Sequence, residues 1–268
     1  MTDLPGRLVL LGHPVAHSLS PRFQNAAIRA AGFSIGYEAI DVDSNGLAAM
    51  ARLLAEARGA GNVTVPHKEA FAECCGTLSP VARRTGAVNT FWTEDGALVG
   101  DNTDVGGFDS AVRATVGFPA GPFTVAVIGA GGGASAVLAA VERWEGATAR
   151  IYARTSARAE RLAERYSRIA VAEWSLEGAV RGAHLVVNAT PLGATSQDLP
   201  VDPAMLDSAA AVFDLAYRRG ETPWVHACRA HGMRASDGMP MLVEQGALAF
   251  ERWFGARPDR TVMLEACR

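Results

Sequence analysis

Phe123-Thr-Val-Ala-Val-Ile128 runs straight into Gly129-Ala-Gly-Gly-Gly-Ala134, and this stretch decides the fold. Six apolar or β-branched residues in a row read as a buried strand. Gly129, Gly131 and Ala134 then satisfy G-x-G-x-x-G/A, and an apolar helical pattern follows from Gly132 to Trp144. Strand, glycine turn and helix in that order make the phosphate-binding corner of a dinucleotide fold. The first glycine makes the tight turn, the second lets backbone approach a pyrophosphate, and the helix N-terminus offers free N–H groups. A tight glycine turn in an unrelated α/β domain is the competing reading, and the strand–helix context weighs against it.

Strands and helices alternate in both directions from this corner. Upstream, Arg7–Gly12, Tyr37–Asp41 and Gly61–Val65 read as strands, with helices at Pro21–Ala31 and Leu47–Arg58 between them. This order implies a parallel sheet with covering helices. Val88–Trp92 and Ala97–Val99 read as a hairpin around Asp95-Gly96. Gly117–Pro122 has the turn chemistry of a linker. Downstream come strands at Thr148–Tyr152, His184–Asn188 and Ala211–Leu215, helices at Gly132–Trp144 and Ser156–Tyr166, and one long helical segment at Met239–Phe254. The expectation is two α/β domains with a ligand cleft between them.

The chain has 268 residues, 49% hydrophobic and 20% charged, enough for a sizeable core without disulfide staples. A net charge of -3 argues against a general nucleic-acid binder. No apolar run reaches the roughly 20 residues that span a bilayer, and residues 1–7 do not read as a signal peptide. The four cysteines show no C-x-x-C spacing, so neither a zinc site nor a disulfide framework is expected, and a reducing cytoplasm is the simplest compartment.

Among 25 basic residues only Lys68 is lysine. A position that keeps lysine in an arginine-rich chain points to a need for a compact ammonium that can lose its proton. Lys68 ends Asn62-Val-Thr-Val-Pro-His-Lys68, in which Asn62 and Thr64 have the same strand parity. Asn89 lies in Gly86-Ala-Val-Asn-Thr and Asp104 ends Gly100-Asp-Asn-Thr-Asp. Lysine with aspartate is a workable acid–base pair. Asp101 and Asp104 also suit turn chemistry, and Asp104 suits an N-cap for a helix from Val105, an equally good reading on spacing alone.

The loop Gly12-His-Pro-Val-Ala-His-Ser-Leu-Ser-Pro21 brings Ser18 and Ser20 to a helix start. Ser20 reads as an N-cap with Pro21 at N1, or both hydroxyls donate to an anion there. His13 and His17 flank the loop without the further ligands a metal needs, so no metal is expected. After the strand ending at Tyr152, Arg154, Thr155 and Arg158 stand where an NAD site usually carries an acid, which favours the 2′-phosphate of NADP. Tyr217 and Gln245 are weaker candidates, since either suits a satisfied polar group on an apolar element.

Taken in order along nearly the whole chain, these strings resemble the shikimate dehydrogenase family. The matching strings also include Asn188-Ala-Thr-Pro-Leu-Gly193, Asp214-Leu-Ala-Tyr217 and Gly238-Met-Pro-Met-Leu-Val-Glu-Gln245-Gly. The resemblance implies reversible, NADPH-dependent reduction of 3-dehydroshikimate to shikimate, in aromatic amino-acid biosynthesis. It implies Lys68 and Asp104 as the catalytic pair and Ser18 and Ser20 as holders of the substrate carboxylate. Asn62, Thr64, Lys68, Asn89, Asp104 and Gln245 would meet the ring hydroxyls, with Tyr217 beside the substrate. Cofactor contacts are implied at Gly129, Ala130, Gly131, Gly132, Gly133, Arg154, Thr155, Arg158, Thr190, Leu215, Gly238 and Met241. The implied architecture is an α/β substrate domain with a parallel-rich sheet over residues 1–104, completed by C-terminal helices in 239–268. A Rossmann-type NADP domain would occupy 105–238. The expected partner is the small-molecule substrate, with no nucleic acid or membrane, in a monomer or homodimer. Gln24, Ala153 and Arg219 depart from the family's usual histidine, asparagine and proline, and Ala153 removes one possible contact to the cofactor. A quinate/shikimate dehydrogenase of broader substrate or cofactor use, and a catalytically idle NADP-binding regulator, are the alternatives. A folate-linked dehydrogenase would share the glycine loop but neither the serine loop nor the Asn-Thr-Asp string.

Overall fold

The computed structural model describes residues 4–117 and 121–268. Residues 118–120 of the expected linker, and residues 1–3, lie outside the described residues. The chain divides into two compact α/β units, residues 1–107 with 243–268, and residues 108–242.

The first unit opens with strand β1 (Arg7–Gly12), helix α1 (Ser20–Ala30), β2 (Tyr37–Asp41), α2 (Leu47–Glu56) and β3 (Gly59–Val63). Short elements follow: α3 (Lys68–Glu73), β4 (Thr77–Leu78), α4 (Pro80–Thr85), β5 (Thr90–Glu94) and β6 (Ala97–Asp101). The sheet order is β2-β1-β3-β5-β6-β4. β1 pairs parallel with β2 and β3, while β5 runs antiparallel to both β3 and β6. The three strands of the β-α-β-α-β run pair parallel, as expected, and the hairpin β5-β6 adds the antiparallel pairings that make the sheet mixed. The hairpin is the cause: two residues can reverse a strand but cannot carry a parallel crossover. Asp95 (φ 50°) and Gly96 (φ 77°) both take the left-handed conformation that a two-residue hairpin turn demands.

β1 is buried on both faces, so its run Leu8-Val-Leu-Leu11 is continuous rather than alternating. Val9 and Leu11 join Leu47, Leu54, Phe71, Phe91 and Leu98 in one apolar cluster. β3 lies two residues earlier than the sequence pattern suggested, at Gly59–Val63 rather than Gly61–Val65. Its pairing begins with Gly59 opposite Arg7, and Pro66 lacks the N–H a longer strand would use. Thr64 therefore follows the strand, although its N–H still reaches Leu11 O at 2.8 Å.

The chain passes to the second unit within α5 (Asp104–Thr115) and returns within α10 (Met239–Phe254), ending in α11 (Arg260–Cys267). The second unit contains β7 (Phe123–Ile128), α6 (Gly132–Val141), β8 (Ala147–Tyr152), α7 (Ser156–Arg165), β9 (Ala170–Ala172) and α8 (Leu176–Val180). It continues through β10 (Leu185–Asn188), β11 (Ala211–Asp214), α9 (Pro223–Ala230) and β12 (Arg234–Ser236). All six strands are parallel, in the order β12-β11-β10-β7-β8-β9. The order reverses between β7 and β10, the switch point at which such sheets bind ligands beyond their carboxyl ends. β9, α8, α9 and β12 were not foreseen; each is eight residues or shorter, too short for a clear period. No helix among the described residues is long and apolar enough to cross a membrane.

Candidate active site

Lys68 is the first residue of α3. Its position is fixed from both sides: the His67 ring bonds Val42 O at 2.6 Å, and Lys68 O accepts from Val88 N at 2.8 Å. Nζ reaches Asp104 Oδ2 at 2.5 Å, with side-chain exposures of 19% and 6%. A charged pair withdrawn from water is tolerated only when its remaining polar atoms are engaged. Asp104 meets that condition, because its Oδ1 accepts from Asn89 Nδ2 at 2.7 Å.

Asn89 is the hub. Its Nδ2 also lies 3.0 Å from Thr103 Oγ1 and 3.2 Å from Gln245 Oε1, and its Oδ1 accepts from Thr103 N at 2.7 Å. Its main-chain oxygen accepts from Asn62 Nδ2 at 3.0 Å. Asn62 Oδ1 in turn accepts from Tyr37 Oη at 2.8 Å. Asn62, Lys68, Asn89, Asp104 and Gln245 are therefore brought together, from β3, α3, the segment before β5, the start of α5, and α10. Sequence reasoning missed Tyr37 and Thr103. Both sit inside ordinary strand and turn patterns, so no signal in one sequence marks them.

The capping reading of Asp104 fails for its side chain. The carboxylate is held by Lys68 and Asn89, and it is Asn102 Oδ1 that accepts Asp104 N at 3.1 Å. The turn reading fits Asp101, whose Oδ1 accepts from Asn102 N and from the Ser79 hydroxyl, while Oδ2 meets Arg252 Nε at 2.9 Å.

At the start of α1 the N-cap is Leu19 rather than Ser20, and no side chain caps this end. The helix begins one residue early, so Ser20 lies inside its first turn. Ser18 Oγ accepts from Ser20 N at 3.2 Å, and Ser20 is 7% exposed. Two hydroxyls at a helix N-terminus, where the helix dipole is positive, suit an anion. Thr64 packs its methyl group where a side chain at position 12 would go, 2.5 Å from a Cβ built on Gly12. Gln24 ties α1 to α10 by donating to Gly246 O at 2.9 Å. His13 pairs with Asp41 at 2.6 Å, which holds the Asp41 carboxyl below its ordinary range.

The second unit carries the glycine loop. Gly129 has φ 117°, and a Cβ there would lie 2.8 Å from Ala189 O, so only glycine fits between the loops after β7 and β10. A Cβ on Gly131 would meet nothing within 4 Å, which leaves the backbone open to a ligand. Gly131 is also the N-cap of α6, whose first N–H groups therefore lack a side-chain partner. Thr155, the N-cap of α7, makes no capping bond either. Arg154 and Arg158 are exposed, and the ion pairs among the described residues of this unit use neither. Open backbone, free N–H groups at α6 and two uncommitted guanidinium groups beside α7 fit a dinucleotide with an extra phosphate.

Thr190, Leu215 and Gly238 lie on loops beyond β10, β11 and β12, at the same strand ends as the glycine loop. Thr190 Oγ1 donates to Asn188 Oδ1 at 2.6 Å, and Gly238 N donates to Ala216 O at 2.9 Å. Tyr217 is half-buried, three residues past β11, and Met241 is buried on α10.

Comparison with known proteins bears on this arrangement. Residues 10–91 match the family domain described as shikimate dehydrogenase substrate binding domain, and residues 238–268 match the shikimate 5'-dehydrogenase C-terminal domain. The chain is 38% identical to a shikimate dehydrogenase (NADP(+)) of Mesorhizobium japonicum, over 99% of this chain and 96% of the relative. It is 42% identical to one from Methylocella silvestris, over 95% and 92%. A crystal structure of a Thermus thermophilus shikimate 5-dehydrogenase, in complex with NADP(H) and shikimate, superposes with a TM-score of 0.88 at 39% identity, covering 98% of each chain. With this identity along nearly its whole length, the chain belongs to the shikimate dehydrogenase family.

Proposed function

We propose that this protein catalyses the reversible, NADP-dependent interconversion of 3-dehydroshikimate and shikimate. The observation that carries the reading is the shielded Lys68–Asp104 pair at 2.5 Å, with both carboxylate oxygens engaged and neutral amides around it. Shikimate is a small carboxylate bearing three hydroxyls, and amides and hydroxyls are its natural partners.

In this reading the first unit holds the substrate. Ser18 and Ser20 take its carboxylate at the start of α1. Asn89, Gln245, Asn62 and Thr64 meet the ring hydroxyls. Asn62 already bonds Tyr37 and Asn89, so it offers one remaining amide hydrogen. The second unit holds the cofactor through Gly129, Ala130, Gly131, Gly132 and Gly133 at the diphosphate. Arg154, Thr155 and Arg158 take the 2′-phosphate, Leu215 and Gly238 lie near the nicotinamide, and Thr190 and Met241 are further cofactor contacts.

When bound, the nicotinamide supplies or accepts the hydride at the ring carbon. The protein's part is the proton. Asp104 accepts hydrogen bonds on both oxygens, as an ionised carboxylate does, so it holds Lys68 in place and balances its charge. Lys68 makes one of the three bonds its ammonium can donate, which leaves N–H groups for the substrate oxygen. In the reducing direction Lys68 gives that oxygen a proton; in the oxidising direction it takes the proton back.

Initial rates test the reading. Purified protein is given shikimate or quinate, each with NADP or NAD, and the absorbance of the reduced cofactor is followed. Fast turnover only with shikimate and NADP is expected. Comparable turnover with quinate or NAD moves the protein to the broader-specificity alternative, and no turnover by folded protein favours the idle regulator.

A further inference from the structure

We propose that Asp214 is a positioning residue that clamps the loops carrying Thr190, Leu215 and Gly238 into one rigid edge for the dinucleotide. The proposal rests on the nucleotide reading of the second unit.

Asp214 ends β11 and is 0% exposed. Its Oδ1 accepts from Asn188 Nδ2 at 2.8 Å and from Ala216 N at 3.0 Å, and its Oδ2 accepts from Thr222 Oγ1 at 2.7 Å. Each donor belongs to a different segment. Asn188 closes β10 and organises the loop behind it: its Oδ1 accepts from Thr190 N at 3.0 Å and Thr190 Oγ1 at 2.6 Å, and its Nδ2 reaches Leu192 O at 3.2 Å. Ala216 lies in the turn after β11, and its carbonyl accepts from Gly238 N at 2.9 Å. Gly238 presses so closely on this turn that a Cβ would sit 2.3 Å from Leu215 O. Thr222 is the N-cap of α9.

One carboxylate therefore fixes the ends of two strands, the loops beyond them and, through Ala216, the segment that opens α10. Its ionisable neighbours are Asp237, an anion, and Cys228 on α9, and every hydrogen bond it accepts comes from a neutral donor. Burial accordingly pushes the Asp214 carboxyl up to about 6, against the pull of those bonds. A position needed only to fill this core is served by an apolar side chain at no desolvation cost. What an anion adds is alignment of several donors at once, and here those donors set the loops that face the ligand side of the sheet.

The test uses the full chain and Asp214→Asn, which keeps the shape and removes the charge. NADPH binding is followed by the fluorescence of its nicotinamide, shikimate binding by calorimetry, and loop order by amide hydrogen exchange in ligand-free protein. Asp214→Asn is expected to weaken NADPH binding about tenfold, with shikimate affinity changed less than about twofold. Exchange at Thr190, Leu192 and Ala216 should speed up before that of the β7 amides. Thr222→Val, which loses one donor, should weaken NADPH binding in the same sense, and Thr222→Ser should restore it, so the test survives if Asp214→Asn does not fold. Folded variants with wild-type NADPH affinity and wild-type protection at those amides would overturn the proposal. A wild-type protein that binds no NADPH sinks the nucleotide reading itself, in a measurement that involves no variant.

Discussion

Asn89 Nδ2 stands 2.7 Å from Asp104 Oδ1, while Lys68 takes Oδ2 of the same carboxylate. Asp104 is thus held at both oxygens, one by an amide and one by an ammonium. The amide fixes where the carboxylate points, and the carboxylate fixes where Lys68 presents its proton. Position and charge are supplied by different residues, so substitutions should separate them.

Lys68→Ala should abolish most turnover, by about a thousandfold, while leaving the fold intact. The loss should appear in kcat for shikimate with NADP, beside an unchanged circular-dichroism spectrum. Lys68→Arg should not rescue it, because a guanidinium does not give up its proton near neutral pH. Near-normal turnover in either variant would refute the lysine assignment.

Asn89→Ala should lower both activity and stability. It leaves Asp104 Oδ1 and Thr103 N without their partner, at a cost of about 1–3 kcal/mol in a buried network. Urea unfolding and kcat should fall together. A loss of kcat with unchanged unfolding would mean that Asn89 acts on the substrate alone.

Ser20→Ala should raise the KM for shikimate by about tenfold and change kcat little, since in the proposed reading the hydroxyl meets the carboxylate, away from the reacting carbon. Ser20 does not cap α1, so thermal unfolding should hardly move. A clear drop in melting temperature without a KM effect would return Ser20 to a purely structural role.

Arg154→Ala should raise the KM for NADP much more than that for NAD, by about tenfold, through loss of a charge-assisted bond to the 2′-phosphate. Equal effects on the two cofactors would remove the 2′-phosphate assignment.

Asp214 makes stability depend on pH. Its carboxyl sits at about 6 in the fold, above the ordinary value of 3.8, because burial disfavours its charge. Between these values the folded state binds the extra proton, so this group's contribution falls as pH rises from about 4 to 6 and then stays flat. The difference is on the order of 3 kcal/mol. Relative to wild type, Asp214→Asn should therefore be less destabilised, or more stabilised, at pH 8 than at pH 4. Urea unfolding at the two pH values checks this, and a pH-independent difference would count against the buried charge.

Much of this protein was legible in local pattern. Phe123–Ile128 before Gly129 announces its strand and turn because a buried parallel strand is apolar throughout and only glycine takes φ 117° beside Ala189. Asp95-Gly96 announces its hairpin by the same logic of positive φ. Lys68 stands out by composition alone. Short elements such as β9, α8 and β12 escaped, since three to five residues carry too little period to read.

The sequence by itself determined the α/β class, the glycine loop and the arginines after β8, and it singled out Lys68 as the one lysine in the chain. These depend on residue type and on spacing within one element or turn. Only the tertiary structure decided that Asp104 meets Lys68 rather than capping its own helix, that Ser20 lies inside α1, and that Asn89 and Gln245, 156 positions apart, share one hydrogen-bonded cluster. The same holds for Asp214, which reads as the end of a strand until Asn188 and Thr222 are seen around it. A side chain's partner is chosen by which distant segments the sheet brings together, and burial then makes an unpaired polar group too costly to leave alone.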